Sequence, residues 1–92
     1  MDKEEARQAF GKRICELRAE QKISQRKFGL MVGLSVDYMV DLEKGRKSPT
    51  LDSIVKIAGG FGITPSELLR GIGEPEQPRD EHPIPEYYHT SI

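Results

Sequence analysis

The stretch "GLSVDYMVDLEKG", residues 33–45, decides the reading of the whole chain. Gly33 suits the left-handed position that ends a preceding helix, Leu34 fills the corner, and the Ser35 hydroxyl is an N-cap for a new helix. That third helix of the chain is predicted from Val36 to about Lys44, stopped by Gly45. Met39 and Leu42 form its inward side, with Tyr38 at the edge. Its outward side carries two carboxylates one turn apart, Asp37 and Asp41.

Upstream, Phe10, Ile14, Leu17 and Gln21 recur at helical spacing, which predicts a first helix from near Asp2 to Gln21 with one stripe facing a core. Lys22 and Ile23 leave it. Ser24 caps a second helix over Gln25 to Val32, with Phe28 and Val32 inward. Downstream, "GRKSP" is loop chemistry, and Thr50 caps a fourth helix predicted over Leu51 to about Gly59, burying Leu51, Ile54, Val55 and Ala58. "GGFG" at residues 59–62 has the look of a phosphate loop, but it follows a helix and not a strand, so a helix C-cap is the better reading. "TPSELL" combines a Thr64 cap, proline at the first helical position and Glu67 at the third, which predicts a fifth helix from Pro65 to Arg70 ending at Gly71.

The totals narrow the choice further. Ninety-two residues suit one small domain, which buries roughly 60% of its unfolded surface and has little area left for a deep substrate cavity. No apolar run reaches the ~18 residues of a membrane span and "MDKEEARQAF" is unlike a signal peptide, so a cytoplasmic protein is expected. Cys15 is the single cysteine; it excludes an internal disulfide, fits a reducing compartment, and reads as small helical filler rather than a nucleophile. His82 and His89 have no partners at metal-ligand spacing. No catalytic set, metal site or cofactor is expected.

Charge divides the chain in two. Residues 1–73 hold 13 Lys/Arg against 10 Asp/Glu, whereas residues 74–92 hold one Arg against five acids. The domain is therefore expected over 1–73 and an acidic tail over 74–92. "GEPEQPRDEHPIPEYYHTSI" carries four of the six prolines and is predicted to be extended. Two readings of it stay open: a disordered tail, or an arm that docks on its own domain or a partner through Tyr87 and Tyr88.

Taken together, "RICELRAEQKISQRKFGLMVGLSVDYMVDLEKGRKSPTLDSIVKIAGGFGITPSELL" resembles the Cro/lambda-repressor-like (Xre-type) helix-turn-helix family. The likeness runs from about Phe10 to Gly71. The order and spacing of "LR", "ISQ", "VGLS", "LEKG" and "GITPSELL" carry it. It implies an all-α, compact five-helix DNA-binding domain in which the second and third helices form the DNA-binding pair. It also implies an internal ion pair between Arg18 and Glu43, a phosphate contact from Gln25, and a homodimer seam around Ile63, Leu69 and Ile72. Gly29 departs from the alanine usual at that place; it permits closer approach and costs ~1 kcal/mol of helix propensity.

On this reading the partner is double-stranded operator DNA and the function is transcriptional regulation, with repression the expected sense. Phosphates would be met by Gln25, Arg26, Lys44, Arg46 and Lys47, and bases by Ser35, Val36, Asp37 and Asp41 with Tyr38 alongside. The acids raise a second reading. Asp37 at the helix start and Asp41 three residues before Lys44 also have purely structural explanations. The alternative function is a helix-turn-helix fold used as a protein-protein interaction module, with the acidic helix or the tail engaging a protein partner.

Overall fold

The computed structural model describes residues 1–73, and the expectations placed on residues 74–92 lie outside them. Five α-helices follow in order: α1 (Lys3–Gln21), α2 (Gln25–Val32), α3 (Val36–Glu43), α4 (Leu51–Phe61) and α5 (Pro65–Leu68). No described residue lies in a strand.

Each helix opens on a side-chain cap. Asp2, Ser24, Ser35, Thr50 and Thr64 all sit in extended backbone and accept a hydrogen bond from the amide three residues on. At Thr64 the Glu67 carboxylate also reaches back to the cap amide, completing a capping box. Such a cap is worth about 1 kcal/mol, which matters for helices as short as α2, α3 and α5. Gly33 ends α2 at φ 76°, while Lys22 takes the equivalent left-handed position after α1 at φ 55°.

The core is Phe10, Ile14, Leu17, Phe28, Met39, Leu42, Ile57, Ala58, Phe61 and Leu68. α3 packs on α1 and α2, and α4 packs on α2 and α5. The α1–α3 crossing is close because Gly11 faces the carbonyls of Leu42 and Glu43. A Cβ there would lie 2.5 Å from both oxygens. Gly29 makes the turn equally tight: its Cβ would lie 2.7 Å from the Leu34 carbonyl. The glycine thus matches a turn closed further than an alanine would allow.

α4 departs from the sequence reading. It continues past Gly59 to Phe61, and Gly62, the last residue of the GGFG stretch, supplies the C-cap. Its inner stripe is Ile54, Ile57, Ala58 and Phe61, while Leu51 and Val55 are 74% and 53% exposed. The reason lies in the α2–α4 contact. Phe61 stacks on Phe28 with ring centroids 4.2 Å apart, and Gly60, facing Val32 and Phe28, lets the two helices close together. Burying Phe61 rotates Leu51 and Val55 outward. α5 is also shorter than expected, ending at Leu68 with Leu69 as its C-cap.

Candidate nucleic-acid interface

α3 is fixed at both ends, and the fixings use polar chemistry. Its last residue, Glu43, is 3% exposed at the side chain. The Arg18 Nε donates to Glu43 Oε2 at 2.7 Å and Nη2 donates to Oε1 at 2.6 Å, a two-pronged pair. Arg18 Nη1 also donates to the Ile23 carbonyl at 2.8 Å, so the same guanidinium holds the α1–α2 turn. Two further donors converge on Glu43 Oε1: the Cys15 thiol at 2.9 Å and the Gln25 amide at 3.1 Å.

The electrostatics follow from that shell. Burial by itself raises the Glu43 carboxyl, but the hydrogen bonds from Arg18, Cys15 and Gln25 and the Arg18 charge outweigh it and bring the group below its usual value. Burial pushes the Cys15 thiol up, and the neighbouring Glu43 carboxylate adds to the rise. The thiol therefore stays protonated, as its role of donor requires. A charged Glu43 at a helix C-terminus opposes the helix dipole, and Arg18 offsets it.

The second fixing lies at the side of α3. The Tyr38 hydroxyl donates to Ser53 Oγ at 3.0 Å and accepts from the Thr50 amide at 3.4 Å. Ser53 and Thr50 are themselves joined at 2.9 Å. Tyr38 thus ties α3 to the first turn of α4, and its hydroxyl is already engaged inside the domain.

Ahead of Tyr38, Ser35, Val36 and Asp37 are exposed at the start of α3, and Ser35 uses its hydroxyl to cap the Tyr38 amide at 3.1 Å. Asp41 is only 25% exposed at its side chain. Lys47 Nζ lies 3.3 Å from its Oδ2 and Arg46 Nη1 lies 3.8 Å from its Oδ1. Lys47 also stands 6.0 Å from the centre of the Tyr38 ring, at the outer limit of a cation–π contact. The partners of Asp41 are thus the two loop cations and not Lys44, because Gly45 at φ 72° turns the chain back along α3. Lys44, as the α3 C-cap, and Arg26, on α2, are both exposed. Arg46 and Lys47 thus stand beside Asp41 at one corner of α3.

Several members of this arrangement had no sequence signal. Cys15 lies one turn before Arg18 and reads as filler; only the crossing of α1 over α3 makes it a ligand of Glu43. Gln25 sits at the start of α2 as expected, but its amide points inward to Glu43 and not outward. Ile63, Leu69 and Ile72 are half-buried against the chain's own core.

Two short helices joined by a three-residue turn, with the second held rigidly across the first, are the elements of a helix-turn-helix. Residues 14–68 match the Helix-turn-helix family model. The chain belongs to the helix-turn-helix family. It is 37% identical over 60 residues to the HTH-type transcriptional regulator DdrOP3 of Deinococcus deserti, covering 65% of this chain and 46% of that protein. It is 36% identical over 64 residues to the control protein C.MunI of a Mycoplasma species, covering 68% of this chain and 86% of that protein. Among solved structures, the restriction-modification controller protein C.AhdI of Aeromonas hydrophila superposes with a TM-score of 0.65 at 34% identity, over 67% of this chain and 94% of that one. The chain spans less than half the length of DdrOP3. No helix among the described residues is long and apolar enough to cross a membrane.

Proposed function

We propose that the chain is a cytoplasmic, non-enzymatic transcriptional regulator that binds operator DNA through α2 and α3, as a homodimer and in the sense of repression. The observation that carries this reading is the double anchoring of α3. Glu43 and Tyr38 lock the helix to α1, α2 and α4, so the exposed edge of Ser35, Val36, Asp37 and Asp41 is presented on a rigid base. The cations of the following loop flank it. Rigid presentation is what base readout needs, because a misplaced donor or acceptor misses its base. Two-fold pairing supplies the second half-site that one short helix lacks.

The acids have a place in this scheme. Asp41 gathers Arg46 and Lys47 at one corner, where they can turn from the carboxylate to a phosphate with little opposition, since an exposed pair is worth only ~0–1 kcal/mol. Asp37 is free to accept a hydrogen bond from a cytosine amine. A second reading, a protein-interaction module, draws support from Leu30 and Met31, which are 76% and 56% exposed on the outer face of α2.

The test is titration of the full chain with its own upstream duplex and with a scrambled duplex. Replacing Asp37 and Asp41 with Asn is expected to raise affinity for the scrambled sequence and to narrow the preference for the true site, with ~1–3 kcal/mol at stake for each base that is read. Equal effects on both duplexes would remove the acids from readout.

A further inference from the structure

On the domain there is an open groove of about 520 Å³, floored by Ala6, Phe10, Pro49, Ile54, Leu69 and Ile72. It lies between the start of α1, the loop before α4 and the end of α5. Two cations from α1 stand at its wall, Lys3 and Arg7, and neither has an ion-pair partner among the described residues.

We propose that this groove is the docking site of the chain's own C-terminal segment, residues 74–92. Three observations select that occupant. The first is position. Ile72 lines the groove, and the next residue, Gly73, donates its amide to Met1 Sδ at 3.3 Å. The chain therefore leaves the domain at the groove itself. The second is charge: the segment carries five acids against one Arg, opposite the Lys3 and Arg7 wall. The third is the apolar content, since Ile84, Tyr87, Tyr88 and Ile92 cluster in its second half. Aromatic rings bury large apolar area for few torsions, and a tyrosine keeps its hydroxyl at the wet edge.

Reach favours the same chain over a second one. Tyr87 is 14 residues beyond Gly73, and an extended chain spans ~3.3–3.6 Å per residue, so every part of the groove is accessible. A tethered segment is presented at an effective concentration on the order of millimolar, so even a weak site is filled from within. Docking brings carboxylates alongside the loop that carries Arg46 and Lys47. That consequence rests on the DNA-binding reading; the docking does not.

The test is nuclear Overhauser spectroscopy on the DNA-free full chain. The expected result is contacts from the Tyr87 and Tyr88 rings to the methyls of Ala6, Leu69 and Ile72. They should persist unchanged on tenfold dilution and be absent between labelled and unlabelled chains in a mixture. Lys3→Glu with Arg7→Glu should abolish them. Tyr87→Ser with Tyr88→Ser should shift the Ala6 and Leu69 signals without altering those of the core. Contacts appearing only between chains would assign the groove to a second copy's segment and overturn docking within one chain. Absence of any contact would overturn the proposal outright, and contacts surviving charge reversal would overturn its electrostatic part.

Discussion

Glu43 and Asp41 are carboxylates two residues apart on the same short helix, and they lead opposite lives. Glu43 is 3% exposed and takes hydrogen bonds from Arg18, Cys15 and Gln25. Asp41 is 25% exposed and faces two loop cations at 3.3 and 3.8 Å, both of them more than half exposed. The first pair is desolvated, so its partners are committed to one arrangement. The cations of the second lie mostly in water, so they hold the carboxylate only loosely. α3 thus keeps one acid for architecture and one for an exchangeable surface, and helical rotation alone sorts them.

The largest consequence of the difference is in stability. Glu43→Ala strands a desolvated guanidinium and leaves Gln25 and Cys15 without their acceptor, so the domain should lose about 3–5 kcal/mol on chemical denaturation. A loss below ~1 kcal/mol, the range of an exposed pair, would place Glu43 in the same class as Asp41. The pH dependence carries the same information. The folded-state value of Glu43 is below its unfolded value, so its contribution is fully present above the ordinary glutamate value of about 4.3 and is lost as pH falls through the lower folded-state value. Acid titration of stability should therefore show a steep loss below that range, and Glu43→Gln should flatten it.

A middle effect is expected at Tyr38. Tyr38→Phe removes the hydroxyl shared with Ser53 and Thr50, while Thr50 still satisfies Ser53. The melting curve should report a loss of ~0.5–1.5 kcal/mol. No change would mean that α3 is held at its Glu43 end alone.

The smallest stability effect belongs to Asp41. Asp41→Asn should alter stability by less than ~0.5 kcal/mol, as exposed pairs do, yet raise affinity for a scrambled duplex by releasing Arg46 and Lys47. A stability loss comparable to that of Glu43→Ala would erase the contrast between the two acids.

Legibility follows the range of the interactions. The caps Ser24, Ser35, Thr50 and Thr64, the proline at the start of α5 and the inward pair Met39 and Leu42 are local signals, and the folded chain uses each one. Leu51 and Val55 read as core because α4 has two apolar stripes, and the choice between them is made by Phe28, more than 20 residues away. The Cys15 and Gln25 donors to Glu43 and the hydroxyl network of Tyr38 depend likewise on helix crossings that no window of the sequence contains. Asp41 falls between these cases. Its partners are five and six residues on, beyond helical spacing and reachable only because Gly45 reverses the chain.

The proposed contact is between the loop cations gathered by Asp41 and DNA phosphates beside α3. It is tested most directly by the salt dependence of duplex binding for the unmodified chain and for Arg46→Ala with Lys47→Ala. Log affinity against log salt should be linear and negative, and the double variant should flatten that slope by roughly 0.9 for each phosphate it no longer neutralises. Identical slopes for the two proteins, or binding that ignores salt altogether, would contradict the account and move the acidic face of α3 to a protein partner.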